Sequence, residues 1–272
     1  MMNLLVKADK TARDIIRVPD SALQYVGFSA HRLQPGERLP VQTGDREMCI
    51  VLLSGNVSIQ GGHARFGAFA WPGLVGRQSV FEDVSPYAAY LPPGCEGSII
   101  ADSVAEVALC ASPGHPQPEQ WLAPRLIEPA SMKRSTRGKG ANVRYVCDIL
   151  PDTAAAHALL VVEVRTPSGH SSSYPPHRHD SDSLPQQSRL EESYYHRIDP
   201  GQGFVFQRVY TDDRDLDQAM AVEDHDVVLV PRGYHPVCVP YGYESYYLNV
   251  MAGPTRVWKF HNDPQHEWLL DL

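Results

Sequence analysis

A chain of 272 residues is longer than one small barrel needs and suits two units of roughly 100–150 residues each. With 43% hydrophobic and 21% charged residues it carries enough apolar material for packed cores. Its net charge of −8 argues against a nucleic-acid partner, since phosphate binding needs a basic surface, and mainly favours solubility.

The first residues, MMNLLVKADKTARDII, hold a short apolar run followed by mixed charges, without the apolar core and small-residue cleavage site of a signal peptide. No stretch approaches the ~18–20 apolar residues of a membrane span, so no membrane partner is expected. Five cysteines, Cys49, Cys95, Cys110, Cys147 and Cys238, are scattered with no CxxC spacing. A disulfide framework is not expected, and a cytoplasmic location is.

Strand signals dominate the first half. Ala30 to Leu39 turns at Pro35-Gly36, and Met48 to Leu53 runs into Ser54-Gly55-Asn56, a hairpin signal from which Val57-Ser58-Ile59 returns. Ala88 to Leu91, Gly97 to Ile100 and Val104 to Cys110 read as further short strands, with no strong helix pattern. Ser112 to Pro124, rich in Pro, Gln and Gly, reads as a connection. The basic run Lys133 to Gly140 is expected to be a solvated linker, with a mobile loop that helps to bind an anionic substrate as the functional alternative.

From Arg144 the strand rhythm resumes, with strands expected at Ala158 to Val164, Tyr174 to His179, Ser193 to His196, Gly203 to Tyr210, Asp226 to Val230, His235 to Val239, Tyr246 to Met251 and Arg256 to Phe260. Tyr90-Leu91-Pro92-Pro93-Gly94 and Leu229-Val230-Pro231-Arg232-Gly233 both end a strand in PxG. That likeness suggests a duplicated barrel in which the second copy alone has metal chemistry. The expected organisation is an all-β chain with units at 1–120 and 121–272.

The segment YPPHRHD, Tyr174 to Asp180, says most about chemistry. Residues i and i+2 of a strand share a face, so His177 and His179 converge without special backbone geometry. Two converging imidazoles make half of a transition-metal site. Leu190-Glu191-Glu192 entering an aromatic strand, and Pro231-Arg232-Gly233-Tyr234-His235 further on, complete the reading of a metal site in a small antiparallel barrel. Alternation places Glu192, Tyr194 and His196 on one face and Glu191 and Tyr195 on the other.

These motifs resemble those of the cupin superfamily, in which HxH and a following glutamate come from one motif and a histidine after PxG from a second. The resemblance implies two tandem cupin (double-stranded β-helix, or jelly-roll) barrels, a bicupin, with His177, His179, a glutamate and His235 as metal ligands and an asparagine, Asn249, nearby. Ser181 to Arg189 looks like an inserted hairpin, so spacing alone does not choose the glutamate. Related sugar-acid isomerases place it directly before an aromatic strand, which favours Glu192 over Glu191. PPHRHD, LEESYYH, GFVFQRVYTDD, VVLVPRGYHPV and the segment Tyr246 to Trp268 together are similar to the 5-deoxy-glucuronate isomerase family of myo-inositol catabolism, over nearly the whole chain. A sister family, the 4-deoxy-L-threo-5-hexosulose-uronate ketol-isomerases, shares the four-ligand pattern with zinc.

The resemblance implies an aldose–ketose isomerase that converts 5-deoxy-D-glucuronate to 5-dehydro-2-deoxy-D-gluconate. It would use one divalent metal ion, zinc first and manganese or iron as alternatives, and no organic cofactor. Its partner would be a small-molecule sugar acid, and because bicupins often self-associate and strand edges need cover, a homo-oligomer is also in view. Tyr194 and His196 share the inferred ligand face and Glu191 or Tyr246 would approach from elsewhere, so these four are the candidates for proton transfer. The bland alternatives are a barrel-filling aromatic for Tyr194 and a strand cap for His196. Arg208 is the first candidate for the substrate carboxylate, against an ion pair with Asp212 or Asp213. His63, His115, His157, His170 and His225 are expected to be structural, and His261 and His266 to lie in a solvated tail or a subunit contact. Rival readings are an Fe(II) cupin dioxygenase, a non-catalytic sugar-acid-binding bicupin and, less favoured, a sugar-sensing regulator.

Overall fold

Short β-branched and aromatic runs punctuated by Pro and Gly become strands along the whole chain in the computed structural model, which describes residues 3–113 and 121–272. The fold is all-β, and the helical pieces among the described residues are short 3₁₀ turns. His115 and most of the expected connection Ser112–Pro124 lie outside the described residues, as does the expected boundary at 120. No described helix is long and apolar enough to cross a membrane.

Two units share one topology. The first has a six-stranded sheet ordered Arg125–Ile127, Ala88–Leu91, Arg46–Ser54, Ala105–Pro113, Gly27–Leu33, Asp14–Arg17. A four-stranded sheet, Arg38–Gln42, Cys95–Ala101, Asn56–His63, Gly67–Val75, completes it. The second has a seven-stranded sheet ordered Leu5–Val6, Val227–Val230, Glu191–Asp199, Glu244–Ala252, Leu160–Thr166, Arg144–Leu150, Lys133–Arg137. Its four-stranded partner runs Ser171–Ser172, Val237–Cys238, Phe204–Tyr210, Asp217–Glu223. These are two cupin barrels in tandem. Each large sheet takes its edge strand from the far side of the expected boundary: Leu5 and Val6 pair with Val228 and Val227, and Arg125 to Ile127 pair with Tyr90 to Ala88.

Register matches the units residue by residue. Leu91 pairs with Met48 and Val230 with Glu192, and each is followed by a Pro-x-Gly turn whose glycine, Gly94 or Gly233, has φ of 85° or 93°. A left-handed φ of this size is what glycine accepts and other residues resist. Met48, Ile50 and Leu52 therefore correspond to Glu192, Tyr194 and His196. In the first barrel these three join Leu33, Val57 and Ile99 in an apolar interior. At the position of Glu192 the first barrel thus has the thioether Met48 in an apolar interior instead of a carboxylate. Glu47 likewise corresponds to Glu191, and each reaches across to the other unit. Glu47 accepts backbone N–H bonds from His157, Ala158 and Leu159 at 2.6–2.7 Å, and Glu191 accepts one from Tyr25 at 2.6 Å.

The outer faces of the two large sheets pack on each other, joining Phe28, Cys49, Val51 and Cys110 with Tyr195, Leu248 and Val250 in one core; the Phe28 and Tyr195 rings lie 5.2 Å apart. Arg77 and Glu163 form a buried bidentate pair between the units at 2.6 and 2.9 Å, and the Tyr246 hydroxyl donates to the same carboxylate.

Several local expectations change. Gly55 turns a corner, because Arg46–Ser54 and Asn56–His63 belong to different sheets rather than to one hairpin. Lys133–Arg137 is an edge strand, not a linker. Arg256 to Phe260 form no strand; His261–Asn262 pair instead with His177–Arg178, which is all that remains of the strand expected at Tyr174 to His179. Gly67–Val75, a strand that contains Pro72, was not expected from the sequence. The inserted hairpin between His179 and the glutamates is present as Asp180–Ser183 and Gln187–Arg189.

Candidate metal centre

Three elements converge inside the second barrel. The short strand at His177 presents one imidazole and His179 follows immediately. Strand Glu191–Asp199 presents Glu192, and the Pro-x-Gly turn delivers His235. One ring nitrogen from each histidine lies within 4.8 Å of the others. Glu192 Oε2 is 3.1 Å from His179 Nε2 and 3.2 Å from His235 Nε2. His179, Glu192 and His235 are buried, while His177 retains some exposure and packs its ring 4.7 Å from Phe260.

Backbone carbonyls orient two of the rings. His179 Nδ1 donates to Leu190 O at 3.1 Å and His235 Nδ1 to Gly233 O at 2.9 Å, which turns both Nε2 atoms inward. His235 Nε2 is buried with no hydrogen-bond partner. A buried orphan nitrogen beside a carboxylate and two more imidazoles is the donor set of a divalent-cation site, so the residues fit such an ion. Asn249 Nδ2 donates to Glu192 Oε1 at 2.5 Å, holding the carboxylate's second oxygen away from the histidines. Burial alone would raise the Glu192 pKa, but His235 and His179 outweigh it and bring it down to about 2. Burial, with His235 and His179 as like charges, keeps His177 well below the ordinary imidazole value. The first is thus a carboxylate and the second a neutral imidazole, the states a metal requires.

The proton-transfer candidates separate. Tyr194 sits beside the ligands, with its ring 5.7 Å from that of His235 and its hydroxyl 3.0 Å from Ser173 Oγ. Burial first and the Glu192 charge second push its phenol well up. His196 lies one layer deeper; its Nε2 is 2.9 Å from Gln207 Oε1 and burial lowers it to about 4. Glu191 and Tyr246 are on the opposite faces of their strands, tied to Tyr25 and Glu163, and do not reach the site. Arg208 also corrects the sequence reading. Along Phe204–Tyr210, Val205, Gln207 and Val209 are buried while Phe206 and Arg208 are exposed. Arg208 pairs outside the barrel with Asp217, rather than Asp212 or Asp213, through two bonds of 2.7 Å.

Sequence reasoning missed Tyr247, whose ring lies tilted 4.9 Å from that of Tyr194, and Ser173, held at φ 51°. Tyr247 was within reach of the period-2 rule, because it alternates with Asn249 on one strand. Ser173 carries no sequence signal of this kind. His225 stays outside the site but is not partnerless as expected, since its Nδ1 lies 2.6 Å from the Tyr195 hydroxyl.

Tandem cupin barrels with a three-histidine, one-carboxylate pocket in the second define a bicupin. Similarity to known proteins narrows this class. The chain belongs to the KduI/IolB family, whose pattern matches residues 4–269. A protein of Geobacillus kaustophilus called 5-deoxy-glucuronate isomerase is 48% identical over 260 residues, 95% of this chain and 91% of that protein. One of the same name from Bacillus velezensis is 48% identical over the full length of both. An IolB-like protein from Salmonella typhimurium LT2, solved by crystallography, superposes with a TM-score of 0.93 at 42% identity, covering 99% of this chain and 100% of that one. Oxalate decarboxylase from Lactobacillus farciminis shares the fold alone, with a TM-score of 0.68 at 14% identity over all of this chain and 91% of that one.

Proposed function

We propose that this protein is a metal-dependent aldose–ketose isomerase that converts 5-deoxy-D-glucuronate to 5-dehydro-2-deoxy-D-gluconate in inositol catabolism. The observation that carries the reading is full-length likeness, at 48% identity, to proteins named 5-deoxy-glucuronate isomerase. The pocket supplies a chemistry to match. His177, His179, Glu192 and His235 would hold one divalent cation, zinc in the first instance. When bound, such an ion polarises carbonyl and hydroxyl oxygens as a Lewis acid.

The reaction moves one proton from C2 to C1 and one between the attached oxygens, with no net redox change. Tyr194 would carry that traffic: its hydroxyl is 3.0 Å from Ser173 Oγ and its ring 5.7 Å from that of His235. Burial and the neighbouring Glu192 charge keep this phenol protonated, so Tyr194 would begin the exchange as its proton donor. Asn249 keeps Glu192 aimed at the histidines, and the apolar strands around them exclude water. His196 supports Tyr194 from below, bonded to Gln207.

The deciding experiment follows ketose formation from 5-deoxy-D-glucuronate by NMR before and after chelation. Turnover that is lost on chelation and restored by added cation is expected, with Tyr194→Phe retaining metal while losing at least about a hundredfold in kcat. Turnover that survives complete metal removal overturns the reading. Oxygen uptake by an iron-loaded sample would replace it with the dioxygenase.

A further inference from the structure

The strand pairing places a second arginine where Arg208 fails. Tyr247 lies opposite His196, Val164 opposite Tyr247, Val146 opposite Val164, and Ser135 opposite Val146. Opposed residues of an antiparallel pair share a face, so this ladder carries the barrel's interior face from Glu192, Tyr194 and His196 across the sheet to Val146. Arg144, two residues before Val146, is on that face, with Arg137 directly opposite it.

Arg144 is partly buried and its guanidinium lacks an acidic partner. Nη1 donates to the Asn142 carbonyl and side-chain oxygens, both at 3.1 Å, and no carboxylate among the described residues pairs with it. Arg77 is neutralised by Glu163 and Arg197 by Glu106 and Asp224, whereas Arg125 and Arg256 spend their donors on backbone carbonyls. Arg137 has Asp148 at 3.7 Å. The surroundings of Arg144 are hydroxyls. Ser173 Oγ lies 3.0 Å from the Tyr194 hydroxyl, and the Tyr194 and Tyr247 phenols are both near enough to act electrostatically on the guanidinium. Burial, and with it the like charge of Arg137, lowers the Arg144 pKa, and the two tyrosines oppose that; a guanidinium nonetheless stays charged. Asn142 Nδ2 donates to Tyr174 O at 2.8 Å, fastening the arginine's loop to the segment that leads into His177. On the other side an aromatic wall runs from His177 to Phe260 at 4.7 Å, to Trp258 at 6.2 Å and to Arg137 at 5.5 Å.

We infer that Arg144 binds the carboxylate of the sugar acid, at the end of the pocket remote from His177, His179, Glu192 and His235. The inference rests on the isomerase reading and deepens it. The metal-binding residues engage the aldehyde end of a six-carbon chain, the serine and tyrosine hydroxyls face its middle, and an uncompensated planar cation waits for its acid end. A buried guanidinium left without an anion is costly, and a carboxylate bound in a fork resolves it.

The test measures steady-state kinetics of Arg144→Gln, Arg144→Lys and the control Arg208→Ala in the metal-loaded enzyme. Two substrates are used: 5-deoxy-D-glucuronate and the neutral aldose with a hydroxymethyl group in place of the carboxylate. The expected result is a fall of roughly a hundredfold in kcat/KM on the acid for Arg144→Gln, mostly in KM. Metal content, thermal midpoint and activity on the neutral aldose should hold, Arg144→Lys should recover part of the loss, and Arg208→Ala should match the parent. An unaltered KM for the acid, or equal losses on acid and neutral aldose, overturns the inference while the isomerase reading stands. A parent enzyme that turns over neither substrate overturns both.

Discussion

Two adjacent glutamates show how finely one residue step divides roles. Glu192 faces His179 and His235, whereas Glu191 faces the Tyr25 backbone of the other unit. Glu192→Gln should weaken metal binding by roughly 10–100-fold or more, read as metal retained after dialysis. Glu191→Gln should keep its metal and instead lower the unfolding midpoint, because a charged acceptor of a buried N–H is lost. Equal metal loss in both variants would remove the distinction. Local alternation put the two glutamates on opposite faces, but the preference for Glu192 came from the likeness to sugar-acid isomerases, because the inserted hairpin makes spacing uninformative. The placements of Arg208 and Arg144 were not legible in the sequence. Phe204 to Tyr210 alternates in a way that leaves the parity open, since Phe206 and Gln207 each look plausible inside. Arg144 becomes a site residue through a ladder of pairings across several strands, and non-local register is not written in any one segment.

At the scale of elements, the Pro-x-Gly turn carries the second barrel's chemistry. A Cβ at Gly233 would meet Tyr210 O at 2.5 Å, with φ at 93°, and His235 follows two residues later. Gly233→Ala must therefore bend the backbone that aims a ligand. It should lower the thermal midpoint by several degrees, for a cost on the order of 2 kcal/mol or more, and weaken metal binding as well. Gly94→Ala, the matching change in the first barrel, meets the movable His63 ring at 3.3 Å. It should destabilise less and leave metal affinity alone; a Gly233→Ala protein with parental affinity would contradict this. Both turns were visible as PxG, and the strands leading into them were placed correctly. The Gly55 corner was misread because a tight turn between two strands looks the same in sequence whether or not the strands pair. Lys133–Arg137 was misread for another reason: an edge strand tolerates the charges that otherwise signal a linker.

For the molecule as a whole, buried histidines set the acid limit. His196 and His225 are both held at about 4, by burial in each case and additionally by the Arg197 charge for His225. The unfolded chain takes up these protons as pH falls through about 6.5, whereas the folded chain resists until about 4. Stability is therefore full above that upper value and is lost on acidification between the two. Between pH 7 and pH 5 each histidine should cost on the order of 2 kcal/mol. His225→Asn, chosen because asparagine accepts the φ of 71° at this position, should shrink the pH 7-to-5 difference in denaturant midpoint; an undiminished difference would exonerate His225. The exchanged edge strands bear on history rather than on energy. A recombination event that moved residues 121–272 into another gene would carry all four proposed metal ligands, yet leave Val227–Val230 without Leu5–Val6 along its edge and take Arg125–Ile127 from the barrel that uses them. Either half alone would lose an edge strand, which gives the first barrel a structural reason to persist.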